Sequence, residues 1–205
     1  MRQLADMGVE ELVITTGAFE SELVRYAETH GEKQKFTFVK NPEYERTNYI
    51  YSIFCAREYL EGDLLLLHGD LVFSDEVLRR VMDFDGSCMV TSSAVPLPEK
   101  DFKAVLSGEY IKAIGIEFFE HAVAAQPLYK LLWQDWQAWL SRIEMFCRTG
   151  RRNCYAENAF NEISDQCRIH PLEVGNLFCQ EVDSLEDLDL VVSGLRTLDS
   201  EDSAI

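Results

Sequence analysis

The chain lacks the features that would place it outside the cell or in a membrane. No apolar run approaches the ~20 residues needed to span a bilayer, and no basic-then-apolar segment opens the sequence. No CxxC pair occurs among Cys55, Cys88, Cys147, Cys154, Cys167 and Cys179. Their scatter through apolar stretches excludes a disulfide framework of short loops and a zinc site. Reduced thiols in a cytoplasmic protein are the expectation. Positive charge is also scarce: 19 Lys+Arg against 36 Asp+Glu give a formal net charge of -17. A phosphate backbone or an anionic bilayer would be repelled, so neither nucleic acid nor membrane is an expected partner. A mononucleotide is not excluded, because a metal and a few cationic groups can handle its phosphates locally. No linker of Pro, Gly or Ser divides the chain, and 205 residues suffice for one domain with a sizeable core.

Within that frame, strand and helix signals alternate. Residues 2–8 read as the last turns of a helix closed by Gly8. Apolar runs at 11–17, 35–39, 63–70 and 87–93 read as strands. Helices are predicted over 19–29, over 47–60 with Thr47 as N-cap, and from Ser74 onward. The pattern then changes to short antiparallel strands within 102–118, a long helix over 129–148 and a helix over 155–166. Strands at 168–174 and 177–183 and a helix over 185–195 follow. Strand–helix–strand repetition predicts an α/β fold with a doubly wound, mostly parallel, Rossmann-like sheet, helices on both faces and a small antiparallel and helical insertion. One domain over 1–198 is expected, with 1–98 as a nucleotide-binding part and 99–198 as an acceptor-binding part. The polar, acidic 199–205 is expected to be a disordered tail.

Ligands of such sheets bind outside the carboxyl ends of the strands, where Gly17, Asn41 and Asp70 fall. Gly69-Asp70 suits Mg²⁺, a carboxylate following a glycine that lets a ligand reach the backbone, although an aspartate in a turn can equally bond its own backbone. In Glu181-Val182-Asp183-Ser184, Asp183 is either a helix N-cap or a second metal ligand. His68 and His121 show no partner pattern that marks a catalytic base, and no Ser/His/Asp or Cys/His arrangement announces a nucleophile.

The stretch from Asn41-Pro42-Glu43-Tyr44 through Thr47-Asn48-Tyr49-Ile50-Tyr51-Ser52-Ile53 and Ala56-Arg57 to Leu64-Leu65-Leu66-Leu67-His68-Gly69-Asp70 resembles the sugar-phosphate and choline-phosphate nucleotidyltransferases. More narrowly it is similar to bacterial CTP:phosphocholine cytidylyltransferases, as is Phe178-Cys179-Gln180-Glu181-Val182-Asp183-Ser184-Leu185-Glu186-Asp187-Leu188. The likeness covers about 10–95 and 155–195. It implies that Asp70 and Asp183 hold a catalytic Mg²⁺, and that Thr16, Gly17, Asn48, Ser52 and Gly69 lie beside a nucleoside triphosphate, CTP favoured. The implied chemistry is in-line displacement at the α-phosphate, transferring a cytidylyl group to a small phosphorylated acceptor such as phosphocholine or a sugar phosphate.

For the acceptor, Trp136 stands out in the stripe Trp133, Trp136, Trp139. Aromatic faces stabilise a quaternary ammonium by ~0.5–2 kcal/mol per contact, but such a stripe is equally a core face. Tyr155 and Glu157 correspond to the family's acceptor region, where a carboxylate neutralises a cationic head; Glu157 equally suits the first turn of its helix. Lys130 either faces a phosphate or is a solvated lysine. The family opens with a strand, a glycine-rich loop carrying an arginine and a Pro-Lys-Pro segment, whereas this sequence starts within the helix that follows. The resemblance therefore implies an N-terminally truncated chain without the donors that cradle the triphosphate, each commonly worth ~3–4 kcal/mol. Strand edges left exposed would invite a homodimer. Two expectations follow: an enzyme, or a catalytically impaired remnant that binds a nucleotide or a partner chain.

Overall fold

The computed structural model describes residues 1–31 and 34–202. In chain order its elements are α1 (Arg2–Asp6), β1 (Glu11–Thr16), α2 (Glu20–His30), β2 (Lys35–Lys40), α3 (Tyr49–Ala56), β3 (Leu64–Leu67), β4 (Leu71–Phe73) and α4 (Asp75–Asp83). Then come β5 (Cys88–Ser92), β6 (Lys103–Ser107), β7 (Tyr110–Gly115), β8 (Ala122–Leu131), α5 (Trp133–Arg148), α6 (Ala156–Asn161), β9 (His170–Glu173), β10 (Cys179–Glu181) and α7 (Leu185–Asp202). Among the described residues no helix is long and apolar enough to cross a membrane.

The central sheet has six strands, with β7, β6, β8, β5 and β9 in order and β3 also paired to β8. Successive side chains of a strand point to opposite faces, and this alternation builds two cores. Leu64 and Leu66 of β3, with Met89, Tyr129 and Leu131, pack against α3, α5 and α6. Leu65 and Leu67, with Cys88, Val90 and Leu128, pack against α1 and α4. Helices therefore cover both faces, as the α/β reading expects. Trp136 and Trp139 of α5 are fully buried in the larger core.

The sheet is mixed rather than mostly parallel. β1 and β2 form a parallel pair of their own, and β5 pairs parallel with β9. β8 runs antiparallel to β3, β5 and β6. The sequence hides β8 because Pro127 lies inside it, and a proline within a run argues against a central strand. Here the register between β5 and β8 shifts so that Met89 faces Tyr129 and Thr91 faces Ala125. The bulge lies at Pro127, where the missing N–H leaves no ladder bond unmade, and the Pro127 carbonyl still accepts from the His68 amide at 3.2 Å.

Several boundaries also move. Asn48, not Thr47, caps α3: its side-chain oxygen accepts from the Tyr49 amide at 2.7 Å, while Thr47 bonds the Glu43 carbonyl. The long helix begins at Trp133, so Tyr129 and Lys130 are strand residues. α7 continues to Asp202, so the disorder expected from 199 does not hold through that residue; 203–205 lie outside the described residues.

Candidate active site

β3 ends at Leu67, and the chain turns through Gly69 and Asp70 into β4, which pairs antiparallel with β10 so that Leu71 faces Glu181. A Val182 amide bond to the Asp70 carbonyl, 3.0 Å long, closes that pairing. The result is a cluster at the carboxyl end of β3. One ligand atom each from His68, Asp70 and Glu181 lie within 4.8 Å of one another. His68 Nδ1 is 2.9 Å from Glu181 Oε1, with both side chains largely shielded and Asp70 exposed. Burial pulls the His68 pKa down, but the Glu181 hydrogen bond and the charges of Glu157, Glu181 and Asp70 together raise it above its ordinary value.

The imidazole is engaged as a partner of Glu181, leaving carboxylate oxygens of Asp70 and Glu181 as the available donors of the cluster. Oxygen donors of that kind fit a hard divalent cation such as Mg²⁺. Asp183 is exposed and does not join the three convergent groups. It stays on the acidic rim, where burial, and then the charges of Glu181, Asp183 and Asp187, raise the pKa of Asp101. Asp183, the carboxylate nominated from the sequence, lies two residues beyond Glu181, the acid that the pairing of β4 with β10 brings to Asp70. The pairing of His68 with Glu181 is not visible in the sequence, since 113 residues separate the two.

The nucleotide candidates line the neighbouring strand ends. The buried Thr16 donates its hydroxyl to Glu20 at 3.0 Å, and its carbonyl accepts from the Asn41 amide. Asn41, also buried, donates its side-chain amide to Thr47 and to Ser52, at 3.0 and 3.1 Å. Asn48 caps α3, and its own amide donates to the Arg152 carbonyl at 2.9 Å. A Cβ on Gly17 would sit 2.8 Å from Tyr44 Cγ, so only glycine fits there, while Gly69 faces open space that a ligand can use.

Beside the acidic cluster four rings close a circuit. Tyr49 meets His68 edge-on at 4.6 Å between centroids, His68 meets Phe102 at 6.1 Å, Phe102 meets Tyr155 at 5.1 Å, and Tyr155 meets Tyr49 at 6.3 Å. Glu157 is buried beneath them and accepts hydrogen bonds from the hydroxyls of Tyr49 and Tyr129, the latter at 2.7 Å. Burial raises its pKa, and the two tyrosine bonds offset only part of that. The structure thus brings Tyr155 and Glu157 together but places Glu157 behind Tyr49 and Tyr129, which the sequence did not single out.

Two acceptor candidates are corrected. Trp136 has no exposed surface, and its indole N–H donates to the Leu60 carbonyl at 3.2 Å, so it is a core residue. Lys130 donates its ammonium to the carbonyls of Met82 and Phe84 at 2.7 and 2.6 Å, so it closes the end of α4 and is not a solvated lysine. All six cysteines are free, and burial pushes Cys167 and Cys179 up to about 12, which leaves those thiols without nucleophilic character.

This mixed sheet, covered by helices on both faces, is a fold that the chain shares with solved structures of CTP-using transferases. The chain is similar to the inositol-1-phosphate CTP transferase of T. maritima, with a TM-score of 0.73 and 21% identity over 90% of this chain and 75% of that one. The CTP:phosphocholine cytidylyltransferase of Streptococcus pneumoniae matches with a TM-score of 0.71 and 16% identity, over 95% of this chain and 82% of that one. At these identities the likeness establishes the fold. In sequence, the chain is 37% identical over 78 residues to the CMP-5'-(3-aminopropyl)phosphonate synthase of Streptomyces rubellomurinus. The matched stretch is 38% of this chain and spans 12% of that relative's length. No family model matches the sequence.

Proposed function

We propose that the chain carries the site of a Mg²⁺-dependent nucleotidyltransferase that moves a cytidylyl group from CTP to a small phosphorylated or phosphonylated acceptor, releasing pyrophosphate. The observation that carries this reading is the convergence of His68, Asp70 and Glu181 at the carboxyl end of β3. Support for cytidine as the nucleoside comes from two of the solved structures and the sequence relative, which are named for CTP or a CMP conjugate, while other structures of similar fold are named for thymidylyl transfer and UDP-glucose. A nucleoside triphosphate substrate supports a cytoplasmic location, and the net charge of -17 argues against nucleic acid as a partner.

In this mechanism Asp70 and Glu181 would hold the cation, with His68 orienting Glu181 and Asp183 extending the acidic rim. The cation would neutralise charge on the triphosphate. An acceptor oxygen attacks the α-phosphorus, the bond from that phosphorus to the oxygen bridging to the β-phosphate breaks, and pyrophosphate leaves with the electron pair. Thr16, Gly17, Asn48, Ser52 and Gly69 border the nucleotide. Tyr49, Phe102 and Tyr155 receive a cationic acceptor head, with Glu157 supplying negative potential through Tyr49.

The test is pyrophosphate release from CTP and Mg²⁺ with phosphocholine, an aminoalkylphosphonate and a sugar 1-phosphate in turn, on the parent and Asp70→Ala. Release that depends on one acceptor and vanishes in the variant supports the proposal. A parent that neither releases pyrophosphate nor binds CTP with Mg²⁺ contradicts it.

A further inference from the structure

The carboxyl end of β1 carries a feature that the cation site and the ring circuit leave unused. Phe19, between β1 and α2, is 79% exposed and has φ 54°, a left-handed backbone that a bulky side chain rarely adopts. Left-handed geometry at a phenylalanine is a strained arrangement of the kind that persists at functional sites. It turns the ring outward instead of letting it fold onto the sheet. Tyr44, 40% exposed, lies against Gly17, closely enough that no Cβ is tolerated there. A backbone bridge joins Gly17 to Phe19. Two exposed aromatic side chains thus sit at one glycine, and neither ring packs against another aromatic ring among the described residues.

Their place in the fold ties them to the candidate site. Tyr44 belongs to the 41–48 loop, which is anchored to β1 through the Asn41 amide on Thr16 and to α3 through the Asn41 side chain on Ser52. The first residue of α3, Tyr49, packs on His68. One hydrogen-bonded loop therefore runs from the exposed rings to the acidic cluster, all on the edge where such sheets take their ligands. A flat heteroaromatic ring is the ligand that two exposed aromatic faces suit, because stacking gains from every base and requires no hydrogen-bond pattern.

We propose that Phe19 and Tyr44 form the stacking platform for the base of the nucleotide, supplying affinity while leaving the choice among bases to other groups. This rests on the nucleotidyl-transfer reading and adds a subsite to it. Calorimetry with Mg²⁺ compares CTP with inorganic tripolyphosphate, which carries the charge and lacks the base. Phe19→Gly keeps the left-handed backbone comfortable while deleting the ring, and Tyr44→Phe keeps the ring while deleting the hydroxyl. Phe19→Gly and Tyr44→Ala are each expected to weaken CTP roughly tenfold and leave tripolyphosphate unchanged, with Tyr44→Phe matching the parent. Parent-like CTP binding in Phe19→Gly and Tyr44→Ala, or equal losses for both ligands, overturns the platform. If Asp70→Ala loses CTP while Phe19→Gly does not, the platform falls and the nucleotidyl-transfer reading stands; a parent that binds neither ligand removes both.

Discussion

The backbone amide of Val182 donates to the carbonyl oxygen of Asp70 at 3.0 Å, and with the pairing of β4 and β10 this bond sets which acid of the last strand meets the acid in the turn after β3. With Leu71 opposite Glu181, the side chain of Glu181 turns toward His68 and Asp70, while Asp183 falls beyond the pairing. Glu181→Gln is therefore expected to weaken divalent-cation binding roughly 10- to 100-fold. Asp183→Asn should have the smaller effect of the two. Titration with Mn²⁺ followed by electron paramagnetic resonance ranks them, and an Asp183 effect exceeding that of Glu181 contradicts the geometry.

Tyr129 donates to a buried carboxylate, so Tyr129→Phe leaves Glu157 with one hydroxyl donor in place of two. Hydrogen bonds to charged groups contribute about 1.5–3 kcal/mol, and a loss of that size is expected from urea unfolding. Glu157→Gln combined with Tyr129→Phe should lose less than the sum of the single changes, since the two residues share one interaction.

Glu157 also gives a pH dependence. Burial raises its pKa above the ordinary 4.5, so between 4.5 and its folded value the folded protein binds more protons than the unfolded one. Stability then falls as pH rises through that window. The difference in unfolding free energy between the parent and Glu157→Gln should shift against the parent as pH rises from 4.5. A difference that stays flat, or moves in the parent's favour, contradicts the buried placement.

Trp136 and Phe102 separate core from site. Trp136→Ala is expected to cost about 3–5 kcal/mol, whereas Trp136→Phe should leave the acceptor KM unchanged. Phe102→Ala, removing a ring between His68 and Tyr155, should raise the acceptor KM several-fold with little change for CTP. A KM effect at Trp136→Phe would restore the tryptophan to the pocket.

Lys103 is wholly buried and donates to the carbonyls of Glu99, Asp101 and Ile116. Lys103→Met fills the volume and orphans acceptors that each cost about 1–3 kcal/mol unpaired. A loss of at least 2 kcal/mol in urea unfolding is expected; a variant as stable as the parent would show those carbonyls to be solvated.

The fold was legible where a residue's environment follows its neighbours in sequence. Leu64–Leu67 reads as a strand because both of its faces are covered, and the Gly69-Asp70 turn is written beside it. β8 was not legible, because Pro127 is tolerated only at a bulge defined by the partner strand. The site divides the same way. Asp70 stands out from its local pattern, but the pairing of His68 with Glu181 and of Glu157 with Tyr49 and Tyr129 exists only once distant strands and helices meet. The tryptophan stripe shows the limit from the other side: its spacing suits a ligand face as well as a core face, and burial alone decides between them.

The central claim is that Asp70 and Glu181 together capture a divalent cation for a bound triphosphate. Manganese relaxation titration of the parent, Asp70→Asn and Glu181→Gln, each with and without CTP, tests it directly. The account expects CTP to tighten Mn²⁺ binding in the parent and both variants to lose that tightening by tenfold or more. Variants that bind Mn²⁺ and CTP as the parent does would contradict it.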